Sequence, residues 1–372
     1  MNQRGTHGVL TAIGLMSGTS MDGIDAALLS SDGEGVVEPG PSCSRGYAAG
    51  LRRELHLAAE RIAATADPMA LRSDFADLEL RLTRLNLAAV RDLLAEARLA
   101  PDAVDVIGYH GQTVLHRPAC GITIQLGDGA RLAAGSGIAV IADFRAADVA
   151  AGGEGAPLAP AYHRALAART RISPQAVVNI GGVANVTWLC PRHDPIAFDT
   201  GPGNALIDDF VRARTGRDFD RDGALALAGT VDETALRRLL DHPYFDRTPP
   251  KSLDRNAFSR TPVDRLGTED GAATLVAFTA RTIAMSGKFL PEPPRRWVAA
   301  GGGRRNAAIM AALRSRLGAP VLAAEEAGWR GDDVEAEAFA YLAVRSLKGL
   351  PLSWPSTTGV PSPMTGGVVH RP

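Results

Sequence analysis

Met16-Ser17-Gly18-Thr19-Ser20-Met21-Asp22-Gly23-Ile24-Asp25 joins two apolar runs, residues 9–15 and 24–29. Two short strands linked by small, hydroxyl-bearing and acidic residues make a hairpin whose tip can hold an anion. Glycine lets the main chain approach a ligand, and successive N–H groups there form an anion-binding concavity. Asp22 and Asp25 stand where a divalent ion or a water could be held. A tight hairpin also uses Gly and Asp for backbone reasons alone. The Ser-Gly-Thr-Ser run before Asp-Gly is longer and more polar than a two-residue hairpin requires. If the anion is the phosphate tail of ATP, the chain is a kinase or an ATPase.

The chain has 372 residues, enough for two domains that each bury a core. It is 45% apolar and 22% charged with a net charge of -1, which argues against nucleic acid or an acidic membrane surface as main partner. Lys251, Lys288 and Lys348 are the only lysines, so arginine supplies nearly all positive charge. Cys43, Cys120 and Cys190 are isolated and odd in number; they suit neither a zinc knuckle nor a disulfide framework, and fit a reducing cytoplasm. The apolar run near the start is broken by Gly14 and Ser17, too short for a signal peptide or a spanning helix.

Beyond the hairpin comes a looser segment to Pro41, then helical periodicity over 51–64 and 69–97. Short strands are expected at 104–109, 113–115 and 138–141, with a helix over 158–168 after the glycine turn 152–155. The second half starts over. Residues 176–180 read as a strand, Gly181-Gly182 as a turn, 183–189 and 196–198 as strands, the last ended by Asp199-Thr200-Gly201-Pro202-Gly203. A helix is expected over 271–285, a strand over 297–300 running into Gly301-Gly302-Gly303, a helix from Asn306, a short extended piece at 321–322 and a helix over 333–346. Such alternation argues an α/β fold with mixed sheets covered by helices. Similar halves suggest a duplicated domain with a cleft between: 1–170, then 171–349, then a Pro/Ser/Thr/Gly-rich loop tail over 350–372.

Several strand ends carry chemistry, and in open α/β sheets ligands lie beyond the carboxyl ends of strands. Tyr109-His110-Gly111-Gln112-Thr113 and Asp143-Phe144-Arg145 are two of them. A histidine there also serves as an ordinary half-buried residue. Asp199 suits a general base, which must reach the proton it removes, and equally a helix cap. Gly301-Gly302-Gly303 fails the dinucleotide spacing because Asn306 takes the third glycine's place, and neither a P-loop nor a Gly-x-Ser-x-Gly elbow occurs. Three glycines between a strand and a helix still allow close approach to a planar nucleoside. Glu335, early in the last helix, is by itself a favourable dipole contact.

Taken together, these motifs make the chain resemble the anhydro-N-acetylmuramic acid kinase family, within the superfamily of sugar kinases, actin and heat-shock chaperone ATPases. The resemblance rests on Ile13-Gly14-Leu15-Met16-Ser17-Gly18-Thr19-Ser20-Met21-Asp22-Gly23, Gly108-Tyr109-His110-Gly111-Gln112-Thr113, Asp143-Phe144-Arg145, Asn179-Ile180-Gly181-Gly182, Asp199-Thr200-Gly201-Pro202-Gly203-Asn204 and Glu335-Ala336-Glu337-Ala338-Phe339-Ala340, in the family's order. It implies two duplicated actin-like, ribonuclease-H-like domains with the active site in the cleft between them. It implies that Gly18, Thr19, Ser20, Met21, Asp22, Gly23, Ile24 and Asp25 bind the ATP phosphates. Asp199 would be the catalytic base and Glu335 a supporting carboxylate. Gly181, Gly182, Gly301 and Gly302 are further nucleotide candidates, and His110 and Arg145 lie near the sugar. ATP and Mg²⁺ are the implied cofactors, with no metal ligands assigned. A small sugar is the implied partner, with no nucleic acid and no membrane, and a homodimer is a candidate. The family reaction opens the 1,6-anhydro ring with water while moving the γ-phosphate onto O6. Glu154, within Gly153-Glu154-Gly155-Ala156-Pro157, departs from the glutamine expected there. An ordinary hexose-type kinase and a non-catalytic nucleotide switch are the rival readings.

Overall fold

Short apolar runs, most of them buried on both faces, form strands that build two sheets. The computed structural model describes residues 8–18, 20–254 and 257–372. It divides into two compact units, one of residues up to Arg169 together with Asp333–Pro372 and the other Thr170–Asp332.

The first unit holds β1 (Leu10–Ser17), β2 (Gly23–Ser31), β3 (Val37–Gly46), β4 (Val106–Arg117), β5 (Ile122–Leu126), β6 (Val140–Ala142) and, near the chain end, β12 (Val368–His370). Their order is β12-β6-β4-β1-β2-β3, with β5 paired to β4. β1, β2 and β3 form an antiparallel meander, whereas β1, β4 and β6 run parallel. The second unit repeats this plan with β7 (Gln175–Ile180), β8 (Val183–Leu189), β9 (Ile196–Pro202), β10 (Arg296–Ala300) and β11 (Val321–Ala323), in the order β11-β10-β7-β8-β9. In each unit three antiparallel strands are followed by two that add, parallel, on the far side of the first. That is the ribonuclease-H-like order, and its repetition is the duplication expected from the glycine turns.

Glycine decides how the first sheet is covered. Gly14 on β1 and Gly108 on β4 are partners in register. A β-carbon at Gly14 would overlap the Ala336 carbonyl, and one at Gly108 the Phe339 carbonyl. Main chain of the helix Val334–Leu347 therefore rests directly on the two strands. Leu342 and Phe339 are buried there, each stabilising by about 1.5–3 kcal/mol. Its buried polar groups are paired: Tyr162 Oη donates to Glu337 Oε2 (2.6 Å) and Arg345 donates to the Gly33 carbonyl (2.7 Å). On the opposite side the helices Ala49–Ala64 and Ala76–Ala97 bury Leu55, Ile62, Leu82, Val90 and Leu93.

Four expectations are corrected. The second domain does not run to 349, because the helix Val334–Leu347 buries its small residues on β1 and β4 of the first unit. The segment 350–372 is not simply loop. It contains the short helix Pro355–Thr358, and β12 pairs antiparallel with β6. Ser353 and Thr358 hydroxyls both donate to the buried Asp148 carboxylate, tying this segment to the first unit. Finally, the loose segment before Pro41 is β3, whose Pro39 and Pro41 are tolerated because the strand lies at the sheet edge. The expected helix over 69–97 also breaks, into Pro68–Leu71, a 3₁₀ turn Arg72–Phe75 and Ala76–Ala97.

Gly14→Ala is expected to destabilise the protein by about 3 kcal/mol or more, since helix main chain must retreat from the sheet. A thermal unfolding midpoint within two degrees of the parent would contradict this packing.

Candidate functional site

The β1–β2 turn is closed by main chain and by neighbours. The Met21 amide donates to the Gly18 carbonyl (3.2 Å), and Gln112 Nε2 on β4 donates to the same oxygen (2.9 Å). Met21 takes a left-handed φ of 53°. Its side chain and that of Ile24 point into the core, so these two residues offer only main chain to a ligand. A β-carbon at Gly23 would press on the Arg45 carbonyl, so this glycine serves the β2–β3 pairing. Ser20 Oγ donates to Asp22 Oδ1 (2.7 Å) on the exposed tip, and Ser44 Oγ donates to Asp25 Oδ1 (2.6 Å). Thr19 lies outside the described residues. Ser17 and Tyr47 share a hydrogen bond at 3.0 Å beneath the turn. Burial pushes the Tyr47 phenol up to about 12, so it stays a protonated hydrogen-bonding group.

His110 and Arg145 come together at the ends of β4 and β6. Arg145 Nη2 lies 3.0 Å from His110 Nε2, and its Nη1 donates to the Gly155 carbonyl (2.7 Å). Burial, then the Arg145 charge, holds the His110 imidazole well below its ordinary pKa. The ring is therefore neutral, and Arg145 can only donate, so Nε2 accepts and the proton sits on Nδ1. Burial also lowers Arg145, to about 10, while the charges of Glu335 and Asp148 oppose that shift. The guanidinium is still a cation at neutral pH. Glu335, on the exposed first turn of the helix Val334–Leu347, thus acts electrostatically on Arg145 from far along the sequence. The Glu154 main chain is held between His116 Nε2 (2.9 Å) and the Thr358 carbonyl (2.6 Å). Beside this cluster the first unit encloses a cavity of about 400 Å³, lined by Tyr109, His110, Gln125, Gly127, Asp143 and His370 among others.

In the second unit the glycine turns converge. β7 and β10 are parallel neighbours, and each ends in a glycine turn, Gly181-Gly182 and Gly301-Gly302-Gly303. Gly301 has φ 72°, and a β-carbon there would collide with Asn179 and Ile180. Asn204, first of the turn leading into the helix Ala205–Thr215, donates from Nδ2 to the Ile180 carbonyl (3.0 Å) and from its amide to Gly181 (2.7 Å). Arg304 braces the second turn by donating to the Gly301 carbonyl (3.0 Å), while Glu325 and Asp332 fix its guanidinium. The outcome is a small patch of bare main chain.

Asp199 on β9 is half-buried and held from several sides. Leu253 N–H donates to Oδ2 (2.8 Å), Tyr244 Oη donates to the Asp199 carbonyl (2.6 Å), and the Asp199 amide donates to the Lys251 carbonyl (3.0 Å). One carboxylate oxygen is thereby oriented by the main chain of a neighbouring loop. Reading the sequence did not single out Gln112's bond to the turn, Tyr47, Asn204's anchoring role or the loop 251–253. Lys251 alone had a signal: it is one of three lysines in a chain with 40 Lys and Arg residues.

Two units of ribonuclease-H-like order, with glycine turns at the ends of adjacent strands, define an α/β protein of the duplicated, actin-like class. Residues 10–372 match the family model described as anhydro-N-acetylmuramic acid kinase. A protein of Methylobacterium nodulans with that name is 55% identical over 378 residues, covering 98% of this chain and 100% of that one. Another from Rhodospirillum rubrum is 52% identical, covering 99% and 96%. The chain belongs to the anhydro-N-acetylmuramic acid kinase family, and it is an enzyme of the kinase type. No helix among the described residues is long and apolar enough to cross a membrane.

Arg145→Met is expected to raise the His110 pKa, because a positive neighbour is removed while the larger burial effect remains. Imidazole titration followed by NMR reads this directly, and an unchanged His110 titration would refute the coupling.

Proposed function

We propose that this chain uses ATP and water to convert anhydro-N-acetylmuramic acid into N-acetylmuramate 6-phosphate and ADP, in the recycling of cell-wall sugar. The observation that carries the reading is the family match along residues 10–372, with relatives of that name at 55% and 52% identity over nearly their full lengths. The site residues give it a mechanism.

Gly18 to Asp25 hold the phosphates, chiefly through main chain, since Met21 and Ile24 turn their side chains inward. Gly181, Gly182, Gly301 and Gly302 receive the nucleoside, where the absence of β-carbons permits flat contact. His110 and Arg145 bind the sugar. The adjoining cavity of about 400 Å³ is within the ordinary size range of small-molecule sites. Asp199 is the base: its carboxylate takes a proton from a water that attacks the anomeric carbon. The C–O bond of the anhydro bridge breaks, and the released O6 attacks the γ-phosphorus as the bond to ADP breaks. Glu335 is the supporting carboxylate and keeps the Arg145 charge in balance.

Magnesium bound with ATP supplies neutralisation of phosphate charge, most of what phosphoryl transfer asks of its surroundings. Among the described residues no group of three or more His, Cys, Asp or Glu side chains forms a metal cage. A nucleotide-bound magnesium is carried mainly by phosphates and water, with one or two carboxylates. The oxygen donors of Asp22 and Asp25 are of the right kind. With Cys43, Cys120 and Cys190 all unpaired, a reducing cytoplasm is the proposed location.

Asp199→Asn is expected to lower sugar-dependent ADP release by ~10²–10⁴-fold. Near-normal turnover in that variant would remove Asp199 from the role of base. Product mass in H₂¹⁸O separates the ring-opening reaction from simple phosphorylation: one labelled oxygen belongs at the anomeric carbon. Phosphorylation of glucose or N-acetylmuramate in preference, or ATP hydrolysis indifferent to sugar, would favour the hexose kinase or the nucleotide switch.

A further inference from the structure

Lys251 occupies an unusual place for a lysine. It is 4% exposed, and its ammonium lies 4.6 Å from the ring centres of both Tyr244 and Phe289 and 5.9 Å from that of Phe198. Its Nζ donates to the Tyr244 carbonyl at 3.1 Å. Two walls of this aromatic box, and the lysine's own main chain, lead back to one carboxylate. Phe198 directly precedes Asp199 on β9. Tyr244 donates its hydroxyl to the Asp199 carbonyl. The lysine's own carbonyl accepts the Asp199 amide, and two residues on the Leu253 amide meets Asp199 Oδ2.

We infer that Lys251 is a positioning residue for Asp199: its ammonium, seated among three aromatic rings, pins the loop that aims the Leu253 amide at the carboxylate. The inference rests on the reading of Asp199 as base. A cation over aromatic faces is held more strongly when desolvated, so a buried box locks the loop better than an exposed ion pair would. Losing the positive charge would leave the rings in place and free the lysine stem to move. The loop would then lose its anchor, and the carboxylate its fixed direction.

The box makes this anchor pH-sensitive. Burial, then the positive charges of Lys288 and Arg247, pushes the Lys251 amine down to about 8, with Asp246 opposing. Arg247 stacks on Tyr244, and Lys288 lies over Phe289 while pairing with Asp246 at 3.2 Å. From β9 and the helix Thr268–Met285 the side chains lining this spot are uncharged, Thr200, Thr282 and Met285; Asp199 stands between Phe198 and Thr200 on β9. Above pH 8 the amine becomes neutral and its attraction to the rings disappears.

The test is steady-state kinetics from pH 6 to 10 on the parent, Lys251→Met, Lys251→Arg and Asp199→Asn, with thermal unfolding of each. Lys251→Met is expected to lower kcat roughly 10–10²-fold, the scale of a misplaced catalytic group, with KM for sugar and ATP within about twofold of the parent. The parent kcat should fall with an alkaline limb near pH 8. In Lys251→Arg that limb should move up by more than one unit, because guanidinium keeps its proton. In the Asp199→Asn background, Lys251→Met should cost nothing further. A parent-like kcat in Lys251→Met, or an alkaline limb unmoved in Lys251→Arg, overturns the inference. If Lys251→Met fails to fold, the Lys251→Arg profile decides alone. Near-normal turnover in Asp199→Asn is a separate outcome, which removes the base and leaves the lysine with nothing to position.

Discussion

Helix main chain lying on sheet main chain is the contact around which the first unit is arranged. Gly14 and Gly108 face each other across β1 and β4, and neither leaves room for a β-carbon beneath the helix Val334–Leu347. Because the helix sits so low, its side chains reach past the strands to fixed partners on several segments. Tyr341 donates to the Glu34 carbonyl and Arg345 to Gly33, in the loop between β2 and β3. Glu337 takes the Tyr162 hydroxyl from the helix Pro160–Ala168. Buried polar groups of this kind are costly unless paired, so each bond also specifies where the helix must lie.

The same placement has a consequence for the chemistry. Phe339 on this helix packs its ring against His110 at 4.6 Å between centres, and Glu335 one turn earlier acts on Arg145. Helix, imidazole and guanidinium therefore meet in one cluster of the first unit. His110 is kept neutral by burial and by the cation beside it, and Arg145 is kept cationic despite burial by two carboxylates. A fixed cationic donor beside a fixed neutral ring is a pair that keeps its own protonation near neutral pH.

The two units repeat a strand order but solve different problems at corresponding turns. In the first, the turn after β1 is polar, hydroxyl-rich and braced by Gln112 from the neighbouring strand. In the second, the turn after β7 is bare glycine braced by Asn204, and β10 ends in a second glycine turn held by Arg304. Duplication supplied the frame; in the proposed function the polar turn takes the phosphates and the bare glycine turns the nucleoside. The proposed base, Asp199, is in neither turn. It stands on β9, where the aromatic box and the loop 251–253 hold it.

Much of this was legible in the residues themselves. Short apolar runs and glycine turns gave both sheets, because strands buried on both faces read as continuous apolar stretches and only glycine accepts the turns at Gly301 and Gly303 without a clash. The order of the motifs gave the family. Local sequence did not show that residues 333–372 return to the first unit, because a helix rich in alanine looks alike against either sheet. What selected its partner was a pair of glycines over 90 positions apart in the chain, matched in register only once β1 and β4 lie side by side. The same holds for Lys251, whose surroundings come from Phe198, Tyr244 and Phe289 on three separate segments. Sequence by itself determined which residues could carry the chemistry. The tertiary structure decided which of them are buried, neutral, or held in one direction, since burial and charge neighbours are properties of packing and not of order along the chain.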